Sequence, residues 1–235
     1  MAVAPQTVWL SHVLDADTPL YGGGSGIAIR PDKSMAAGDS CNTSLLTLPA
    51  HAGTHVDAPR HFLAQGAAVD DYPADAWVFS TPGMIRIDAV PGQLIGAQDL
   101  AGLEDLPAAM DLLLIRTGFE SFRGEETYWA RGPGLAAAVA GRLSRRFPAL
   151  QAVGFDFISV SSLLHREQGR QAHKAFLGAG IRIFEDLSFS ALPPGAVPAA
   201  VVALPLRVRS GDGAPVSVIG FLRPAGFPPC RQERP

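Results

Sequence analysis

The sequence lacks several features that would assign it to a broad class of protein. Its two cysteines, Cys41 and Cys230, are too few for a disulfide framework or a thiolate metal site. No apolar run reaches the roughly 18 residues of a membrane-spanning helix, and the first residues lack the charged start and apolar core of a signal peptide. Without a membrane span or a signal peptide, we expect a cytoplasmic protein without a membrane partner. Cys41 lies in an apolar stretch and is expected to be packed, whereas Cys230 lies in a Pro-rich tail and is expected to be a free thiol.

Charge of either sign is also scarce. The chain has 19 Lys and Arg against 22 Asp and Glu, a net charge of -3, and no basic block. A nucleic-acid partner is therefore not expected, because phosphate binding needs clustered Lys and Arg. A composition of 47% hydrophobic and 17% charged residues is typical of a globular chain. We expect one domain over residues 1–235, with the last dozen residues as a loose tail.

The order of the predicted elements favours an α/β fold with a mixed sheet, because helices alternate with strands in the middle while strands cluster at both ends. Short apolar or alternating runs predict strands at 8–14, 43–48, 84–88, 112–116, 152–157, 181–184, 200–206 and 216–221. Helical patterns with start or stop signals predict helices at 97–106, 133–146 and 168–177.

Residues 51–62 concentrate chemistry: three of the six histidines lie there, with an aspartate among them, in the order HAGTHVDAPRHF. Neutral imidazole and carboxylate are ligands that a divalent cation such as Zn²⁺ takes. Gly53 lets the backbone bend, so we expect a short turn to aim His51, His55 and Asp57 inward, with His61 overhanging the ion. Two histidines four residues apart are common on solvated helix faces, but the whole cluster favours a metal site.

The same stretch resembles the His-x-Gly-Thr-His-x-Asp-x-Pro-x-His-Phe signature of the cyclase family of metal-dependent hydrolases, which includes bacterial kynurenine formamidases and isatin hydrolases. Every defining position of the signature matches. The resemblance implies the swivelling β/β/α fold, in which a mixed central sheet is flanked by helices. It also implies a small-molecule substrate and a homodimer with its sites near the interface.

The resemblance further implies how one or two divalent ions would be held. His51, His55 and Asp57 would bind one ion, and Asp57, His173 and Glu185 a second, with Asp57 and Glu185 bridging. Zn²⁺ is the expected ion and Mn²⁺ the alternative. A histidine twelve positions before a glutamate is the family's spacing, and His173 and Glu185 reproduce it.

The residues around His173 and Glu185 allow two interpretations. Glu185 closes a predicted apolar strand, where a carboxylate is costly unless it is paired or metal-bound. A Gly-Ala-Gly turn at 178–180 could bring it beside His173 on the preceding helix. Alternatively, His173 lies on a solvated helix face among charged neighbours. Asp186 is expected to point the other way from Glu185, and Asp156 to accept hydrogen bonds from backbone donors near the site.

The function implied by the resemblance is metal-dependent hydrolysis of the C–N bond of a small amide, either an aryl formamide or a cyclic amide or imide such as isatin. His61 would transfer the proton between water and the leaving nitrogen. Kynurenine formamidases carry a tryptophan shortly after a Thr-Pro pair, whereas here Tyr21 follows Thr18-Pro19-Leu20. Tyr21 could stack on a substrate ring and offer a hydroxyl, but kynurenine specificity stays open.

Two other classes of function remain compatible with these residues. One is a non-hydrolytic cyclase or dehydratase, or a lactone hydrolase, on the same metal scaffold. The other is a sensor that binds metal without turnover, against which the presence of His61 argues, since metal binding does not require it. His165 has no counterpart that can be placed and is either surface or a substrate contact, while His12 is expected to be structural.

Overall fold

The computed structural model describes residues 6–24 and 26–223. Within these residues the strands are β1 (Gln6–Trp9), β2 (Ala28–Lys33), β3 (Thr43–Thr47), β4 (His55–Asp57), β5 (Val78–Phe79), β6 (Pro82–Arg86), β7 (Leu94–Ile95), β8 (Leu112–Arg116), β9 (Gly134–Leu135), β10 (Ala152–Phe155), β11 (Arg182–Glu185), β12 (Ala200–Pro205) and β13 (Gly213–Leu222). The helices are α1 (Glu126–Ala130), α2 (Ala137–Arg146) and α3 (Arg166–Gly178). Cys230 and the expected loose tail lie outside the described residues.

One mixed sheet organises the molecule. Nine strands form it, in the order β5-β12-β13-β4-β11-β10-β8-β6, with β1 paired to β13. The half made of β6, β8, β10 and β11 is parallel, whereas β4 is antiparallel to both β11 and β13. The expected α/β class with a mixed sheet and flanking helices is therefore confirmed, as is the swivelling β/β/α architecture.

Two helices cover the parallel half of the sheet. The buried sides of α2 and α3 place Val139, Leu143, Ala172 and Phe176 in one apolar cluster with Phe155 of β10. A parallel strand buried on both faces reads as a continuous apolar run, which is why β8 and β10 were predictable from sequence. None of the helices in the described ranges is long and apolar enough to cross a membrane.

Two of the predicted helices differ from the structure, one because it is absent and the other because it begins later. Residues 97–106 form two 3₁₀ turns, Ala97–Asp99 and Leu103–Asp105, separated by Gly102 at φ 80°. Helix α2 begins at Ala137 rather than near Pro133, because Gly134 and Leu135 pair in parallel with β7. In the first place the turn at Gly102 interrupts the helical pattern, and in the second the pairing with β7 delays the start of the helix.

A two-stranded ribbon lies apart from the main sheet. The strand predicted at 43–48 is present as β3 and pairs with β2 in this ribbon, residues 28–47, which we call the arm. Leu45 and Leu46 on it are 63% and 57% exposed. Cys41 lies in its turn and is exposed, so the expectation that Cys41 is packed was wrong.

Candidate metal centre

The centre of the sheet carries the first group of site residues. Residues 55–57 form strand β4 rather than the expected turn. Because side chains alternate along a strand, His55 and Asp57 point to the same face. Strand β11 pairs antiparallel with β4 and sets Glu185 directly opposite His55. All three side chains are buried, so the sheet itself fixes their spacing.

Helix α3 brings the fourth group to this face. His173 is buried, which rules out the solvated-face interpretation. Its Nε2 lies 3.3 Å from Asp57 Oδ2 and 3.6 Å from Glu185 Oε1. His55 Nε2 lies 3.4 Å from Asp57 Oδ1 and 3.4 Å from Glu185 Oε2. Each carboxylate thus has one oxygen facing His55 and the other facing His173.

Backbone carbonyls hold the two buried imidazoles in this orientation. His55 Nδ1 donates to the carbonyl of Gly53 at 2.8 Å, and His173 Nδ1 donates to that of Gly169 at 2.9 Å. The Nε2 atoms of both rings are thereby directed toward the carboxylates. A hydrogen bond on the outer ring nitrogen is the arrangement that metal-ligating histidines adopt in proteins.

His51 and His61 complete the cluster on its more open side. His51 Nδ1 lies 2.8 Å from Asp57 Oδ1, so this ring nitrogen also faces the shared carboxylate. The His51 and His61 rings lie side by side, with centroids 4.0 Å apart. Asp212, a residue that sequence reasoning missed, lies beside both rings. The signal that could have found it is the Gly-Asp-Gly run at 211–213, at which strand β13 begins.

The donor set fits a divalent cation. Asp57 Oδ2 is buried, and its 3.3 Å contact with His173 Nε2 is an ion pair without hydrogen-bond geometry; among the described residues this oxygen has no hydrogen-bond partner, which is costly unless a cation satisfies it. Two groups have ligand atoms close enough to share an ion: His51, Asp57 and His61, and His55, Asp57 and Glu185. Imidazole nitrogen with carboxylate oxygen suits Zn²⁺ and related transition metals.

The pKa shifts reflect the same crowding of charge. Burial disfavours the charged form of Asp57, yet the imidazoles of His173, His51 and His55 outweigh it and hold the Asp57 pKa well below its usual range. Burial likewise opposes protonation of His55, but the nearby carboxylates of Asp57 and Glu185 raise the His55 pKa well above normal. In the metal-free protein, protons on the histidines therefore compensate the two carboxylates.

Comparison with known proteins agrees with this site. The family model described as "Putative cyclase" matches residues 8–162, a span that contains the whole 51–62 segment. The chain belongs to this cyclase family. A kynurenine formamidase of Sphingopyxis alaskensis is 30% identical over 216 residues, covering 90% of this chain and 96% of the relative. Another from Paracidovorax citrulli is 27% identical, covering 92% and 96%.

Solved structures of the same fold include isatin hydrolases. One, bound to the product analogue thioisatinate, superposes with a TM-score of 0.78 at 19% identity, covering 93% of this chain and 92% of that one. Isatin hydrolase A from Labrenzia aggregata, bound to benzyl benzoate, gives 0.77 at 24% identity, covering 93% and 94%. These likenesses establish the cyclase-family fold of the chain.

A pocket opens onto the metal centre of this cyclase-family chain. Its volume is about 230 Å³, and histidines 51, 55, 61 and 173 line its polar side. The other side is lined by Pro19, Tyr21, Phe62, Ile158, Ser159 and Ser161. Tyr21, which was expected from sequence to contact substrate, therefore lines the same pocket as His61.

The remaining candidates lie outside the pocket. His165 Nε2 donates to the carbonyl of Gly92 at 3.1 Å. Asp186 points away from the centre and accepts hydrogen bonds from Arg123 and Tyr128, as expected for the neighbour of Glu185. Asp156 accepts from the backbone N–H of Thr117 at 2.7 Å, in agreement with its expected role. Their contacts are structural.

Proposed function

We propose that this cyclase-family chain is a metal-dependent hydrolase that cleaves the C–N bond of a small amide. One observation carries the proposal: two adjacent buried carboxylates, Asp57 and Glu185, face the Nε2 atoms of His55 and His173 beneath an open pocket. Such a grouping is stable when a divalent cation replaces the protons on the histidines.

We propose the ligands that the family resemblance implies. His51, His55 and Asp57 would hold one ion, and Asp57, His173 and Glu185 a second. The division of the carboxylate oxygens supports bridging, because Asp57 Oδ1 faces His51 and His55 while Oδ2 faces His173. Zn²⁺ is the proposed ion and Mn²⁺ the alternative, since imidazole and carboxylate ligands suit both.

The bound metal would supply an activated water and polarise the substrate carbonyl. The chain supplies the proton transfer and positioning. Burial is the main cause that lowers the His61 pKa, so His61 is neutral at pH 7 and can accept a proton from water. It can then donate this proton to the leaving nitrogen, which an amide needs because its anion leaves poorly.

The shape of the pocket supports a compact substrate. Phe62 and Tyr21 offer ring surfaces, and none of the described residues that line the pocket is Lys or Arg. A cyclic amide such as isatin, with its carbonyls on a flat ring, matches this lining better than an aryl formamide that carries a charged amino-acid group. We propose the cyclic amide class first, and the aryl formamides second.

Metal analysis combined with a hydrolysis screen tests the proposal. Protein purified without chelator should contain divalent metal, and it should hydrolyse isatins, cyclic imides or formamides with the mass of one water added to the product. A product without added water would indicate the cyclase or dehydratase alternative, and turnover of lactones alone would indicate a lactone hydrolase. Full activity in metal-free protein would contradict the proposal.

We also propose that the protein is a homodimer. Its support is the exposed pair Leu45 and Leu46 on the arm, together with an apolar groove of about 650 Å³ lined by Trp9, Val13, Leu204, Leu206 and neighbouring residues. Trp9 in this groove is 61% exposed. Large exposed apolar patches mark interaction surfaces, and two-fold dimers are the commonest oligomers.

The expected cytoplasmic location stays a prediction, which cell fractionation would test.

A further inference from the structure

The three histidines assigned as ligands differ in what holds their outer ring nitrogen. His55 and His173 each donate to a backbone carbonyl. His51 instead has its Nε2 3.0 Å from Asp212 Oδ2, while its Nδ1 faces Asp57. Of the three outer acceptors, Asp212 is the one with a charge, and a carboxylate orients an imidazole more strongly than a carbonyl does.

The same oxygen of Asp212 also contacts His61. His61 Nδ1 lies 3.2 Å from Asp212 Oδ2. A carboxylate is only an acceptor when ionised, so Asp212 Oδ2 takes a proton donor from each of the two rings. Both ring nitrogens must therefore carry their protons on the side of Asp212. In the neutral form of each ring, His51 Nδ1 and His61 Nε2 are then the ring nitrogens that carry lone pairs.

The backbone around Asp212 is built into the site. The carbonyl of Asp212 accepts from the N–H of Ala58 at 2.9 Å, directly after strand β4. Gly213 pairs opposite Asp57, and a Cβ added to Gly213 would lie 2.4 Å from His51 Cε1. The turn that carries Asp212 thus packs closely against the ring it contacts, and the Asp212 backbone has a fixed position relative to strand β4.

We propose that Asp212 is a positioning residue that sets the tautomers of His51 and His61 together. It directs His51 Nδ1 toward Asp57, where a metal would be held, and the Nε2 lone pair of His61 toward the pocket, where the proton would be transferred. This inference rests on the proposed hydrolytic function. It assigns to one residue, far from the 51–62 segment in sequence, the coupling of a metal ligand to the general base.

Asp212→Ala tests this role, with Asp70→Ala as the matched control. Asp70 accepts from the N–H of Ser210 at 2.8 Å, so its removal loosens the same turn without changing a partner of either histidine. In Asp212→Ala, kcat should fall by about 10–100-fold and metal affinity, measured by chelator competition, should weaken by a similar factor. KM should change little. Asp212→Asn, which keeps an acceptor oxygen, should recover part of the loss, and Asp70→Ala should match wild type.

A spectroscopic measurement separates this inference from the proposed function. Long-range ¹H–¹⁵N spectra of the zinc-loaded wild type should show His61 protonated at Nδ1, as should Asp70→Ala, whereas Asp212→Ala should shift His61 to the Nε2–H form. If the protein bound no metal, the proposed function would fail, and the His61 tautomer of the metal-free protein would still test the role of Asp212. A wild-type His61 protonated at Nε2 would overturn the inference, even if Asp212→Ala did not fold. Loss of all bound metal from Asp212→Ala would also overturn it, because Asp212 would then be a ligand.

Discussion

At the residue scale, His55 and His61 belong to the same twelve-residue segment but have different surroundings. His55 faces both buried carboxylates, whereas His61 lies at the open side and contacts Asp212. We expect His61→Ala to keep its metal and to lose about 10²–10⁴-fold in kcat, the usual value of general acid–base help. His55→Ala should lose metal and activity together. A paired assay of bound metal and kcat distinguishes the two, and an empty site in His61→Ala would make His61 a ligand.

The buried histidines also predict how metal binding depends on pH. Burial opposes the charge on His173, but the adjacent carboxylates of Asp57 and Glu185 outweigh this and raise the His173 pKa to about 10. Together with His55, whose pKa is also raised, it is protonated at pH 7 in the metal-free protein. Because a ligating imidazole must be neutral, metal binding should release protons, and affinity should increase as the pH rises toward the raised pKa values.

Calorimetry in buffers of different ionisation enthalpy measures this release directly. His165→Ala is a suitable control, because His165 donates to the Gly92 carbonyl away from the centre. It should release as many protons as wild type, whereas His173→Ala should release fewer. Metal binding at pH 7 without any proton release would contradict the role of the two buried histidines.

At the element scale, helix α3 places His173 by a close contact at a glycine. A Cβ added to Gly169 would lie 2.1 Å from Ser161 Oγ and 2.6 Å from Ser161 Cα, while Gly178 at the end of the same helix has open space. Gly169→Ala should therefore push α3 outward, weaken metal binding, and destabilise the fold by about 1–3 kcal/mol, the usual range for overpacking. Gly178→Ala should leave metal affinity at the wild-type value.

Thermal unfolding and chelator competition on both variants check this expectation. If Gly169→Ala bound metal as tightly as Gly178→Ala, the packing of α3 against Ser161 would not position His173.

The elements that sequence patterns predicted well are those whose signal is local. Strand β8 was predicted with its observed bounds, because a strand buried on both faces is continuously apolar. Strand β4 was missed, since it has only three residues, two of them candidate ligands, and is too short to show a strand pattern. Asp212 was missed for a related reason: it is brought to the site by pairing between β4 and β13, which lie far apart in sequence. The predicted cluster of His51, His55, Asp57, His173 and Glu185 was found together, because a motif and a spacing identified it independently of the fold.

At the scale of the whole molecule, the arm and the groove predict how two copies associate. Exchanging Leu45 and Leu46 on the arm for lysine should produce a monomer at micromolar concentration in sedimentation experiments, because burying unpaired charge against an apolar groove is unfavourable. Val90→Lys, at a position 60% exposed but on neither surface, should leave the dimer intact. A wild-type monomer at the same concentration would refute the homodimer.

That residues 1–235 form a single domain also stays a prediction.

The position of β4 within the sheet has a kinetic consequence. Both of its edges are covered, by β11 and by β13, so fraying at the rim of the sheet does not expose His55 or Asp57. Amide hydrogens in such a strand exchange through openings that approach global unfolding in free energy. Escape of a bound ion must then proceed through the mouth of the pocket while the protein stays folded. The rate at which a chelator removes the ion should therefore be insensitive to urea below the unfolding transition. The lifetime of the loaded enzyme would depend on access through the pocket and not on the stability of the sheet.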